Sequence, residues 1–163
     1  MPNTKPFLTP KNEKARLKAL HEYDILHTIT EEEYDRITRI AAEIFNVPVT
    51  FIALLEETQQ WNKSAYGIDI KTIPREMAFC NHTILNPDDV LIVPDLRKDA
   101  RFAENPLVMN APNVVFYAGA PLTTPDGHVL GSLCLLDAKE KVMTETQVEA
   151  FKALSREIIA KLE

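Results

Sequence analysis

Residues 114–137 read VVFYAGAPLTTPDGHVLGSLCLLD, an apolar run, a turn and a second apolar run. Pro125, Asp126 and Gly127 are residue types that reverse a chain tightly. The flanking runs are rich in Val, Leu, Phe and Tyr, which suits two strands of a hairpin. Val114, Phe116, Ala118 and Ala120 fall on one face, and Val115, Tyr117 and Gly119 on the other. In the second run Val129, Leu133 and Leu135 oppose Leu130, Cys134 and Leu136. A hairpin apolar on both faces belongs in the middle of a covered sheet.

Working outward, residues 49–56 (VTFIALLE) are again apolar on both faces and predict a second central strand, with residues 59–66 (QQWNKSAY) as its hairpin partner. Residues 90–93 predict a short strand stopped by Pro94, and residues 67–76 an irregular crossing segment. Leu17, Leu20 and Ile25 predict a helix over residues 12–26. A second helix follows, with Thr30 and Glu33 as a capping box and Tyr34, Ile37, Ala41 and Ile44 as its apolar stripe. Residues 78–85 suit a short helix, and residues 97–113 turns and a short helix. The last helix opens on a capping box of Thr144 and Gln147, with Val148, Phe151, Leu154, Ile158 and Leu162 as its stripe. The order predicts an α/β (α+β) fold: a mainly antiparallel twisted sheet of five to six strands with helices on both sides. Residues 1–11 carry three prolines and read as a flexible arm before one domain over residues 12–163.

At 163 residues one domain is expected, long enough to bury about 70% of its unfolded surface without staples. A net charge of −6 with no basic run argues against nucleic-acid binding, which draws its affinity from phosphate neutralisation. No apolar run approaches the roughly 18 residues of a membrane span, and the N-terminus is not a secretory signal. The two cysteines lie in apolar segments, not in a disulfide framework, which suits a reducing cytoplasm.

Five segments in order resemble one family. RLKALHEYDIL, EEYDRITRIAAEIFNVPVTFIALLEE, QQWNKSAYGI, PREMAFCNHTIL and VPDLRKDARFAENPLV, followed by FYAGAPL and LGSLCLLD, are similar to the GAF domains that stand ahead of bacterial histidine kinases and diguanylate cyclases. The resemblance runs from about Arg16 to Asp137. It implies a sensor module with a small-molecule pocket under crossing loops. Two positions depart from the subfamily pattern. His27 stands where an Asp is usual, and Val115 where an Arg precedes FYAGAPL, so a cation near the pocket is lost.

The candidate ligand-binding residues are Trp61, Arg75, Phe79, His82, Phe116 and Tyr117, the aromatic and polar groups on or beside those loops. Arg75 is the candidate anion contact. Trp61 offers either pocket lining or packing. Asp95, Asp99 and Arg101 are spaced for an ion pair that anchors a loop. Cys80, His82 and the distant Cys134 fall short of the three or four convergent ligands of a metal site. Neither cysteine sits in an activating context, so no catalytic residue and no metal ligand is assigned. No cofactor is identified.

The chain therefore reads as a non-catalytic GAF sensor or regulatory domain for an unknown small molecule, cytoplasmic, with no nucleic-acid or membrane partner. A homodimer is expected, its seam formed by the first helix near Leu17 and Leu20 and the last near Phe151, Ile158 and Leu162. The chain starts at Met1 and ends inside a helical pattern. Two readings stay open: the N-terminal part of a longer kinase or cyclase with a signalling output domain, and a stand-alone protein. Two alternative functions are a small thiol redox enzyme of the methionine sulfoxide reductase kind, using Cys80 or Cys134, and a ligand-free dimerisation module.

Overall fold

The computed structural model describes residues 7–163. In chain order its elements are α1 (Glu13–Glu22), α2 (Glu32–Phe45), β1 (Val49–Leu55), β2 (Gln59–Tyr66), β3 (Thr72–Pro74), α3 (Cys80–Thr83), β4 (Leu91–Val93), α4 (Pro106–Met109), β5 (Phe116–Thr123), β6 (Val129–Asp137) and α5 (Glu145–Leu162). Short 3-10 turns at Arg75–Met77 and Leu96–Lys98 follow β3 and β4.

The six strands form one antiparallel sheet in the order β3-β2-β1-β6-β5-β4. The β5–β6 hairpin lies inside the sheet because both of its faces must be covered. Its register runs from Phe116 opposite Asp137 to Leu122 opposite Gly131, then slips so that Thr123 faces Val129. That bulge breaks the alternation expected along β6. Leu130 therefore packs with Leu133 and Leu135 on one face, while Val129 joins Cys134 and Leu136 on the other. Val114 precedes β5 and packs with Tyr117, not with Phe116. The edge strand β3 falls within the segment expected to be irregular.

One face is covered by α2 and α5, which lie beside each other, with α1 against β6. Its core includes Leu20, Phe45, Ile52, Trp61, Phe116, Leu133, Leu135, Phe151 and Ile158. Phe45 and Phe151 meet edge to face, with ring centroids 5.5 Å apart. The α5 cap is as expected: Thr144 Oγ1 accepts from the Gln147 amide, and the Gln147 side chain accepts from the Thr144 amide. The α2 cap is not. That helix begins at Glu32 after Glu31, with no side-chain cap. Thr28 and Ile29 instead bend back to the buried Lys63, whose ammonium donates to Thr28 Oγ1 at 2.8 Å and the Ile29 carbonyl at 2.6 Å and pairs with Glu31.

The expected helical seam needs correction. Leu20, Phe151 and Ile158 are fully buried, so this part of the stripe is used against the sheet and α2 and is not available to a second copy. Leu17, Leu154 and Leu162 are half-buried.

Of the arm expected at residues 1–11, residues 1–6 lie outside the described residues. Beyond them, the Phe7 ring lies 4.7 Å from the Arg75 guanidinium, and the Leu8 carbonyl accepts from Asn81 Nδ2 at 2.8 Å. Among the described residues no helix is long and apolar enough to cross a membrane.

Candidate functional site

On the other face of the sheet, short helices and crossing segments replace long helices, and they leave a cavity. Its volume is about 190 Å³. The floor is the sheet itself: Phe51 of β1, Gln60 of β2, Tyr117 of β5, and Cys134 and Leu136 of β6. Ile68 and Ile70 of the connection between β2 and β3, with Ile73 of β3, wall one side. Phe79 and Cys80 come from the start of α3, and Leu107, Pro112 and Val114 from α4 and the segment after it. Pro48, Val49, Asp137 and Ala138 complete the lining.

Two close approaches set this geometry. Gly67, at φ +85°, lies where any Cβ would collide with the Pro48 carbonyl, so only glycine lets this connection pass the start of β1. Gly119 leaves room under α3 for the Tyr117 hydroxyl and Thr83 Oγ1, which are hydrogen-bonded at 2.7 Å.

The polar lining groups are almost all satisfied. Cys80 Sγ donates to Gln60 Oε1 at 3.1 Å, and Gln60 Nε2 donates to Asn62 Oδ1 at 2.9 Å. Ser132 Oγ lies 3.0 Å from Cys134 Sγ, and the Tyr117 hydroxyl 3.8 Å from it. Burial pushes the Cys80 thiol well up from its ordinary value. Burial likewise pushes the Tyr117 hydroxyl well up. Among the described residues no group of three His, Cys, Asp or Glu side chains is placed to hold a metal ion.

Of the six residues selected from sequence, Phe79 and Tyr117 line the cavity. Trp61 and Phe116 lie on the opposite face of the sheet, Trp61 with its ring 5.5 Å from that of His27. The reason is the two-residue period of a strand. Gln60 and Tyr117 point into the cavity, so their neighbours Trp61 and Phe116 cannot.

Arg75 is also outside the lining and is almost fully buried. It pairs with Glu13, donates from Nε to Asn81 Oδ1 at 2.8 Å, and donates from Nη1 to the Glu56 carbonyl at 3.0 Å. Its partner Glu13 also accepts from Arg16 Nε at 2.7 Å. Burial pushes the Glu13 carboxyl up, but the hydrogen bonds from Arg75 and Arg16 outweigh it and hold the carboxyl below its ordinary value. Arg75 is thus used inside the protein, not as an anion contact.

His82 packs edge-on against Phe102, with ring centroids 4.8 Å apart, away from the cavity. Burial, then the neighbouring Arg101, lowers its pKa. The loop anchor expected of Asp95, Asp99 and Arg101 is two separate pairs, Asp95 with Arg97 and Asp99 with Arg101.

Sequence reasoning missed Gln60, Ile68, Ile70 and Asp137 as lining residues. A signal existed for Asp137, the one carboxyl at the end of the apolar run LGSLCLLD.

A match to the GAF domain family covers residues 30–162. A cyclic di-GMP phosphodiesterase of Pseudomonas aeruginosa is 33% identical over 154 residues, which are 94% of this chain and 26% of the relative. The chain thus spans about a quarter of that relative's length. The GAF domain from an Acinetobacter phosphoenolpyruvate-protein phosphotransferase is similar in structure, with 14% identity and a TM-score of 0.65 over 91% of this chain and 92% of that one. A type II free methionine-R-sulfoxide reductase from Thermoplasma acidophilum gives 12% identity and a TM-score of 0.66 over 88% and 94%. At such identities these two likenesses show the fold alone.

Proposed function

This chain belongs to the GAF domain family, and from that membership and its cavity we propose a non-catalytic sensor domain that binds a small molecule and passes its occupancy to a signalling output. The observation that carries the reading is the cavity itself, roofed by crossing segments over a central sheet and lined mainly by apolar side chains. The likeness to part of a cyclic di-GMP phosphodiesterase supports a cyclic-dinucleotide enzyme as the class of output.

A route from the cavity to a terminal helix is built into the contacts. Cys80 lines the cavity; the adjacent Asn81 bonds Arg75; Arg75 pairs with Glu13 in the first turn of α1. A ligand that moves α3 changes that linkage, and differential affinity for the two arrangements shifts their populations. Homodimerisation through the terminal helices belongs to the same proposal. It would use outward positions such as Ala15 and Lys18 of α1 and Ala153, Glu157 and Ala160 of α5 in place of the buried stripe.

The test is native mass spectrometry of the purified protein beside a cavity-filled variant, Leu136→Trp, checked for folding by circular dichroism. The expected result is a small-molecule mass increment on the parent that the folded variant lacks. A bare parent chain that no small-molecule library stabilises against heat refutes the reading.

Cys80 and Cys134 both line the one cavity, which supports a second reading, a thiol redox enzyme. The raised Cys80 thiol opposes that residue as the nucleophile, because the nucleophile is the thiolate. At Cys134 burial raises the thiol too, but the neighbouring hydrogen bonds outweigh it and lower the value, which makes Cys134 the candidate. Turnover of free methionine sulfoxide with a thiol reductant, abolished by Cys80→Ser or Cys134→Ser, would establish that reading.

A further inference from the structure

The side chains around the cavity narrow its ligand by charge. Among the described lining residues there is no Lys, Arg or His. The one acidic residue is Asp137, and its carboxyl points elsewhere. Asp137 stands directly opposite Phe116 in the β5–β6 ladder, and opposed residues share a face. Phe116 belongs to the core under α2 and α5, whereas Leu136, the preceding residue of β6, lines the cavity. Arg75, the arginine closest in sequence to the α3 wall, is bound to Glu13. Among the described residues no charged side chain is therefore offered to a ligand in this space.

Hydrogen bonding narrows the ligand further. The polar side chains that face the cavity are Gln60, Cys80, Tyr117 and Cys134, and each already has a partner within the protein. Gln60 ties β2 to α3, accepting from Cys80 while it donates to Asn62. Tyr117 ties β5 to α3 through Thr83. A polar head entering the cavity would compete with bonds that hold its wall to its floor. An ionic head would also lose its hydration, with no opposite charge to replace it.

Size and surface say what does fit. A cavity of roughly 150 Å³ lined by Leu, Ile and Phe stays dry and holds benzene. The volume of about 190 Å³ here admits a ring of that size with about one or two further heavy atoms. Such a ring would meet Ile70 and Ile73 on one side, Phe79 and Leu107 on others, and Phe51 and Leu136 on the floor. Aromatic side chains receive an aromatic guest in edge-to-face or offset contact.

We infer that the cavity takes a small uncharged molecule that is hydrocarbon over most of its surface, a single aromatic ring of toluene's kind, and that it rejects carboxylates, phosphates and ammonium ions alike. The inference rests on the reading of this cavity as the ligand site. Affinity comes from apolar burial and close packing. Selectivity comes from rejection, because a charge brought into this space finds no partner.

The test is calorimetric titration of the whole chain at pH 7 with three probes built on one ring: toluene, benzoate and benzylamine. Toluene is expected to bind at least about tenfold more tightly than either charged probe. Leu136→Trp and Ile70→Trp each put an indole into the space, and each should weaken toluene at least about tenfold. Ile70 lies outside the strands on a half-buried segment, so its variant keeps the test open where a change in β6 disturbs folding, which circular dichroism reports. Benzoate or benzylamine binding as tightly as toluene, and lost in the filled variants, overturns the ligand class and leaves the ligand site standing. Toluene binding indifferent to both substitutions overturns the inference by placing the guest elsewhere. Failure of all three probes to bind overturns it as well, and the mass increment on the parent chain then decides separately whether the cavity is a ligand site.

Discussion

Replacing Glu13 by Gln should destabilise the domain far more than its place in the first turn of α1 suggests. Its carboxyl lies between two guanidinium groups, accepting from Arg16 on one oxygen and Arg75 on the other. The side chains of Arg16 and Arg75 are 1% and 0% exposed, and that of Glu13 is 13% exposed. Gln keeps the shape and one acceptor, but turns the second oxygen into a donor facing a donor. Two buried cations then lose the only carboxylate that pairs with them among the described residues. Arg75 keeps the Glu56 and Asn81 oxygens, and among the described residues Arg16 keeps only a 3.3 Å bond to the Val129 carbonyl. Removing one partner of a buried pair costs about 3–5 kcal/mol. At about 2–4 °C per kcal/mol for a domain of this size, the melting temperature should fall by roughly 6–20 °C. The measurement is thermal and urea unfolding followed by circular dichroism at pH 7. The sign with pH is also determined. The Glu13 carboxyl is held below its ordinary 4.5, so its contribution is complete above that value and is lost as pH falls through the lower, folded-state one. The gap between parent and variant should therefore narrow below pH 4.5. A loss under about 1 kcal/mol at pH 7 would equate this pair with an exposed one and refute the reasoning, as would a gap that ignores pH.

Ile158→Glu should abolish cooperative unfolding, because it puts a carboxylate into a fully buried site between α5 and the sheet; a folded variant with altered assembly would restore the helical seam. Gly119→Ala should cost about 1–3 kcal/mol in a urea titration, since the methyl group displaces the Tyr117 hydroxyl and Thr83; unchanged stability would show that α3 yields without cost. The Arg97 side chain and backbone hold the Asp95 carboxyl down at about 2, against the opposing effect of burial. An NMR titration should thus show Asp95 charged until pH falls to that point, its contribution to stability complete above the ordinary 3.8 and lost progressively as pH falls from there to about 2. A midpoint near the usual 3.8 would mean that the bidentate contact does not persist in solution.

What the chain's order of residues determined alone is what depends on near neighbours. Apolar alternation on both faces of residues 114–137 already places the hairpin inside the sheet, and β1 beside it follows from residues 49–56 in the same way. Thr144 and Gln147 cap α5 because a capping box closes within four residues. Even the failure of Trp61 and Phe116 as lining residues was legible, since strand alternation sets Phe116 against Tyr117. Tertiary structure decided whatever depends on distant partners. Arg75 resembles a free anion contact until Glu13, 62 residues earlier, is brought against it. Ile158 suits a dimer seam as well as a core until the sheet and α2 cover it. The bulge opposite Thr123 turns Leu130 and Val129 onto faces that no alternation rule assigns.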